Sequence, residues 1–329
     1  MIFQLLKQQG WTLPVMFKKF CYTLTMVVSL FAASANGAPM AYSVNSDSPD
    51  GGDTLYLIDL ADGSSTARPL PLFSGTFDPN DVEGLAFDAD GTLWGIDDGA
   101  IRDYLYPTMF PIDKSSGAGN YLNFISFSSL PSGGRNDFGM TFTCENTLYV
   151  TSVINRTLYE LDFEGNTQVV GSAGALNADI SAIAAIGNPS RLYGLGNGDV
   201  DAPSLYSIDV NTGIATAIGP LGAVGDYDEG GLAFDSEGVL WAITDRSQNS
   251  QSSQILRIDV DTGAATVVST TLNEIGFESL AITPPVACTN IVDGGNEHRG
   301  IPTLNQTGRL LTILILMFAG MAVLRRRIS

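Results

Sequence analysis

The chain has 329 residues, 44% of them hydrophobic, and its 35 acidic residues against 16 basic ones give a net charge of −19. That hydrophobic share supports a buried core and excludes a disordered chain. The charge argues against nucleic acid and anionic lipid as partners, because like charges repel.

In chain order, the first element is a basic pair, Lys18 and Lys19, then an apolar run from Phe20 to Ala33 and the small-residue site Ala33-Ser34-Ala35. This pattern predicts a secretory signal peptide over residues 1–35, with Met16 as the start of a signal of ordinary length. Beyond it, up to position 308, lie all 35 acidic residues and only nine basic ones. Such a charge keeps an exported protein soluble.

From residue 40 to 283 two phrases alternate. One is an apolar strand, a tight turn and a second strand: Gly84-Leu-Ala-Phe-Asp-Ala-Asp-Gly-Thr-Leu-Trp94, and again Gly231-Leu-Ala-Phe-Asp-Ser-Glu-Gly-Val-Leu-Trp241. A divergent copy, Gly139-Met-Thr-Phe-Thr-Cys-Glu-Asn-Thr-Leu-Tyr149, has Asn146 in the Gly place, the other residue that tolerates left-handed backbone in a turn. The second phrase is a strand ending in Asp that leads to a Gly turn, as in Leu205-Tyr-Ser-Ile-Asp209-Val-Asn-Thr-Gly213 and Leu256-Arg-Ile-Asp259-Val-Asp-Thr-Gly263. Further copies end at Asp59, Asp113 and Asp162, and the five aspartates are 54, 49, 47 and 50 residues apart. Asp suits this place because its carboxylate accepts backbone N–H bonds across the turn.

A repeat of roughly 50 residues with four short strands is a propeller blade. The two-residue alternation and dense turns exclude helical repeats. The expected fold over 36–283 is therefore an all-β propeller of five blades, with six as the alternative. Innermost strands are expected to begin near Val82, Asp137, Ile180, Glu229 and Phe277. The last has no partner strands after it, and the N-terminal strands Met40–Val44, Thr54–Asp59 and Ala67–Leu72 have no innermost strand. One blade shared between the two ends closes the ring and leaves no free edge. The body resembles secreted bacterial propellers that pair a GLAFD-type strand with an LYxIDxxTG-type strand. That resemblance covers residues 40–283, implies the fold and assigns no activity.

With strands running outward from the channel, the short Asp/Gly turns share one face. The other face carries the longer, more acidic connections, including 45–53, 197–203 and 245–254. Long polar loops on a rigid frame are where function concentrates. Inter-blade connections bring Asp78, Asp226 and Glu274 to this face, together with the chosen rim candidates for a ligand or cation: Asp81, Glu83, Asp137, Asp179, Asp228, Glu229 and Glu278. Converging carboxylates raise one another's pKa unless a cation neutralises them. Oxygen-rich sets of this kind suit calcium, and a solvated acidic rim is the alternative. Paired carboxylates can also hydrolyse glycosides. Histidine-based catalysis lacks its base, because the single histidine, His298, falls beyond the last blade. Zinc is disfavoured on the same count. Trp94 and Trp241, at matching repeat positions, are expected in the core between blades, whereas Tyr104 and Tyr106 could face a ligand.

Cys144 and Cys288 outlast the signal peptide. Both are expected on one face, where a disulfide would clip the C-terminal segment to the ring in an oxidising compartment; two free thiols are the alternative. Residues 284–300 read as a flexible linker. The uncharged run Leu310–Leu324 precedes Arg325, Arg326 and Arg327, which predicts a short transmembrane helix with its arginines in the cytoplasm. Before it stand Ile301, Pro302, Thr303 and Leu304, followed by Gly308. This tail, 301–329, resembles the IPTL-type C-terminal sorting signal of Gram-negative bacteria, with Asn305-Gln306-Thr307 where members carry Ser-Glu-Trp. The resemblance implies the export machinery and a C-terminal processing enzyme as partners. It also implies an address at the cell surface, with the tail anchored for a time or for good in the inner membrane. The expected function is a non-enzymatic binding or matrix propeller of the cell envelope, meeting a glycan, a protein or calcium through its acidic face. A carboxylate-dependent glycoside hydrolase and a purely structural envelope component are the alternatives.

Overall fold

The computed structural model describes residues 38–46, 53–72, 82–98, 106–120, 124–131, 136–197, 202–272 and 274–283. The expected signal peptide, the expected linker with His298 and Cys288, and the expected sorting tail lie outside the described residues. Of the two units into which the chain divides, 1–37 with 294–329 and Ala38–Asp293, only the second contains described residues. Among them no helix is long and apolar enough to cross a membrane.

The described strands form five antiparallel four-stranded sheets, the five blades expected from the repeat. Strands β1 (Met40–Val44), β2 (Leu55–Asp59) and β3 (Ser65–Ala67) begin a sheet that is completed from the far end of the chain. The next blade is β4 (Val82–Phe87), β5 (Leu93–Asp97), β6 (Thr108–Ile112) and β7 (Ile125–Ser126). Then come β8 (Met140–Phe142), β9 (Leu148–Ser152), β10 (Thr157–Leu161) and β11 (Thr167–Val169). A third run is β12 (Ile180–Ile186), β13 (Arg191–Gly196), β14 (Ser204–Ile208) and β15 (Ala215–Pro220). The last complete blade is β16 (Gly230–Phe234), β17 (Leu240–Thr244), β18 (Gln254–Ile258) and β19 (Ala265–Thr270). Finally β20 (Ala281–Thr283) pairs with β1 in the register Met40↔Thr283, Ala41↔Ile282 and Tyr42↔Ala281. The innermost strands meet in the order β4, β8, β12, β16, β20 and back to β4, which closes the ring.

Side chains alternate across each strand, and in a blade both faces are covered by neighbours. The described apolar core accordingly falls into five clusters, one in each interface between adjacent blades. In β17, Leu240 and Ala242 pack toward the β12–β15 blade, whereas Trp241 and Ile243 pack toward the closing sheet. Both repeat tryptophans are therefore core residues, as expected: Trp241 is buried and Trp94 half-buried against Phe163.

The Gly that opens the first phrase sits where innermost strands touch. A Cβ at Gly84 would lie 2.8 Å from the Phe138 carbonyl oxygen, and one at Gly139 would lie 2.8 Å from Ala182 Cα. At Gly231 it would collide with the backbone of Ser279 and Leu280. Close backbone approach, rather than a turn, is what these glycines provide.

Three boundaries differ from expectation. The outer strand of the closing sheet is Ser65–Ala67 instead of Ala67–Leu72. The turn after Asp59 closes at once, with Gly63 N–H donating to the Asp59 carbonyl at 2.9 Å, so the chain returns early and Leu70 N–H is left to donate to Ser116 O of the next blade at 2.8 Å. Strands β8 and β20 start later than Asp137 and Phe277. There side-chain hydroxyls replace part of the backbone ladder: Thr151 Oγ1 accepts from Gly139 N–H at 3.2 Å, and Ser279 Oγ accepts from Val44 N–H at 3.2 Å.

Candidate functional site

The acidic mouth is set by how each innermost strand enters the ring. In β4 a register shift between Val82 and Gly84 leaves Val82 and Leu85 in one interface and takes Glu83 out of the alternation. The same device recurs in β12, where a shift between Ile180 and Ala182 leaves Ile180 and Ile183 in one interface and frees Ser181. Bulges of this kind re-aim a side chain. Phe277 and Leu280 share an interface with the same spacing, which gives Glu278 the equivalent register position. The other two strands reach the same level without the extra residue. Asp137 precedes Phe138 and Met140 of one interface, and Glu229 precedes Gly230 and Leu232. Each blade thus contributes one residue to this level: Glu83, Asp137, Ser181, Glu229 and Glu278.

Three of the rim candidates converge. One carboxylate oxygen from each of Glu83, Asp137 and Glu229 lies within 4.8 Å of the other two, with Glu83 and Asp137 buried and Glu229 half-buried. The remaining candidates are placed otherwise. Asp179 is drawn to Arg156, whose Nε and Nη2 donate to its two carboxylate oxygens at 2.6 and 3.2 Å. Half-buried Asp228 uses its backbone N–H toward the Asp245 carbonyl at 3.3 Å. Glu278 is 1% exposed and stands outside the converging trio. Asp81, Asp78 and Tyr104 lie outside the described residues; Tyr106 is exposed, as is Asp226.

Other polar residues on this face have a visible structural task. Second strands end in a residue whose side chain accepts from the start of the following segment: Asn45 from Thr54 N–H at 3.1 Å, Asp97 from Thr108 N–H at 2.8 Å, and Asp245 from Ser247 N–H at 3.0 Å. These are local backbone clamps. Tyr227 buttresses the connection into β16 by donating its hydroxyl to Gly196 O at 2.7 Å. Desolvation holds that phenol above its ordinary pKa. Glu83, Asp137 and Glu229 come from three different blades, so no single loop explains their meeting.

Ser181 was not among the expected site residues. Its oxygen is buried, 3% of the residue being exposed, and makes no hydrogen bond. The signal was present in retrospect as the parallel between Val82-Glu-Gly-Leu85 and Ile180-Ser-Ala-Ile183. Beneath the carboxylates a cavity of about 10 Å³ is lined by Glu83, Ser181, Gly139, Gly230 and Ser279 among others. Below it the channel wall turns apolar, with Leu85, Met140, Leu232 and Leu280. Chemically, three carboxylates at this separation can gather a cation or share a proton. On the opposite face, Cys144 is disulfide-bonded.

No protein-family profile and no curated protein sequence matches the chain. Solved structures do resemble it. A protein of unknown function from Bacteroides caccae is 11% identical over 74% of this chain and 99% of its own, with a TM-score of 0.44. TolB from Acinetobacter baumannii is 13% identical over 78% of this chain and 69% of its own, with a TM-score of 0.44. Virginiamycin B lyase from Staphylococcus aureus is 18% identical over 70% of each chain, with a TM-score of 0.38. At these identities and scores the likenesses carry nothing about activity or ligand.

Proposed function

We propose that this chain is an exported, non-enzymatic binding module of the bacterial envelope that meets its ligand through the long-connection face. One observation carries the reading: Glu83, Asp137 and Glu229 bring their carboxylates together at the channel mouth on that face. A rigid ring that gathers charge from three separate blades presents a preformed site, and preformed sites are where binding concentrates. The disulfide at Cys144 supports an oxidising compartment, in keeping with the signal-like N-terminus and the IPTL-like tail. In this reading the tail is the membrane attachment, and a processing enzyme acts there.

The test uses the full exported protein on columns of insoluble peptidoglycan and of neutral envelope polysaccharide. Retention without turnover is expected, lost in the variant carrying Glu83→Gln, Asp137→Asn and Glu229→Gln. Release of reducing sugar, abolished by the same substitutions, would make it a carboxylate-dependent hydrolase instead. Failure to be retained by either matrix would leave a structural component and end the binding reading.

A further inference from the structure

We propose that the channel mouth binds one calcium ion between the carboxylates of Glu83, Asp137 and Glu229, with the Ser181 hydroxyl as a further ligand. The proposal rests on the mouth being the working site and names what it holds. Calcium takes six to eight oxygens at about 2.3–2.6 Å. Two oxygens on opposite sides of one such ion are therefore at most about 5 Å apart. One oxygen from each of the three carboxylates lies within 4.8 Å of the others, a spread that such a sphere accommodates. Magnesium, at about 2.0–2.1 Å, demands near-octahedral order and keeps several waters, a stricter condition than three fixed carboxylates from three blades meet.

Ser181 supplies the independent observation. It occupies in β12 the bulge position that Glu83 occupies in β4, and both line the cavity of about 10 Å³ beneath the trio. Its oxygen is buried and makes no hydrogen bond. A buried hydroxyl without a partner is unfavourable and rare in folded proteins, and a metal ligand at the mouth satisfies it. The cavity has room for about one water, the ordinary filler of a remaining calcium position. Three carboxylates offer up to six oxygens; serine and water bring the set to what the ion requires. Because each protein ligand lies in or just before the innermost strand of a different blade, the ion would tie four of the five blades together.

Equilibrium dialysis with radioactive calcium, and calorimetric titration with calcium chloride, test this on the EDTA-stripped full exported protein. Expected are one ion per chain and little competition from magnesium. Affinity should fall by at least about a hundredfold in Glu83→Gln or Glu229→Gln and by about tenfold in Ser181→Ala. Asp179→Asn, at the residue already held by Arg156, should leave the affinity nearly unchanged. Ser181→Ala adds no bulk, so it carries the test if a charge variant fails to fold by circular dichroism. Absence of stoichiometric binding, equal affinity for magnesium, or affinity untouched by Ser181→Ala and Glu83→Gln would overturn the proposal. The two readings fail separately. Matrix retention that persists in EDTA, in a protein that binds no calcium, ends the calcium site alone; stoichiometric calcium without retention on any matrix ends the binding-module reading alone.

Discussion

Asp235 closes its turn with three bonds: Oδ1 accepts from the N–H groups of Glu237 and Val239, both at 2.9 Å, and Oδ2 from the Trp241 indole N–H at 2.8 Å. Asp88 repeats the pattern with Asp90, Thr92 and Trp94. The Asp and Trp of the repeated phrase are thus one unit, and Asp235→Ala should cost about 1–3 kcal/mol in urea denaturation. Asp88→Ala should cost less, because Trp94 is only half-buried. In four turns of the second phrase the carboxylate is held low by its own turn. Asp113 sits at about 2, chiefly through the Ser115 hydroxyl and then the Ser116 and Ser115 N–H groups. Asp162, Asp209 and Asp259 are lowered as well, led by the Asn166 side chain and by the Asn211 and Asp261 N–H groups respectively. A lowered carboxylate stabilises fully above its unfolded pKa of about 4 and loses that contribution as pH falls through the folded value. The stability deficit of Asp113→Asn should therefore be constant from pH 7 to about 4 and vanish near pH 2. A deficit that persists in acid would show that the carboxylate charge is not its source. Such turns were legible because every partner lies within a few residues. Ser181 was legible only through its parallel with Glu83, because a bulge is defined by a strand elsewhere in the sheet.

At the scale of the strand, the glycines of the first phrase separate two causes. Gly231 has φ outside the left-handed region but leaves no room for a Cβ against Ser279 and Leu280, whereas Gly91 has φ +79° and nothing within 4 Å. Gly231→Ala should lower stability by about 1–3 kcal/mol through overpacking of the ring. Gly91→Ala should suffer only the smaller penalty of left-handed backbone, about 1 kcal/mol. Thermal melts of both variants check the order, and a larger loss at Gly91 would mean that turn geometry rather than blade contact governs the phrase. Asn146, with φ 62°, occupies the corresponding turn position and confirms the reading of the divergent copy. Strand existence was legible from alternation at nearly every site. Starts at β8 and β20 were not, since apolar pattern cannot distinguish a backbone ladder from one completed by Thr151 and Ser279 hydroxyls.

For the whole molecule, stability depends on the one sheet built from both ends. Ala41 is central in it, paired with Ile58 on one side and Ile282 on the other. Proline there removes a ladder bond and has no place in a central strand. Ala41→Pro should broaden the unfolding transition and increase the radius seen by small-angle scattering. Ser65→Pro, on the outermost strand, should do far less. If Ala41→Pro melts like the parent, closure does not hold the ring. Blade number was legible because five aspartates repeat at near-constant spacing. The three-carboxylate convergence was legible only as a list of acids, because distances across the channel depend on how all the blades pack.

The pairing of Met40 with Thr283 also sets a timetable. Synthesis proceeds at about 5–20 residues per second, so β1 waits on the order of ten to fifty seconds for its partner to be made. Throughout that interval one long edge of β1 is open to any strand that reaches it, including the β1 of another nascent chain. For the exported protein proposed above, a holdase at the exit of the export channel would therefore serve during biogenesis more than after it. Conditions that slow elongation should raise the yield of entangled dimers before they alter the finished ring.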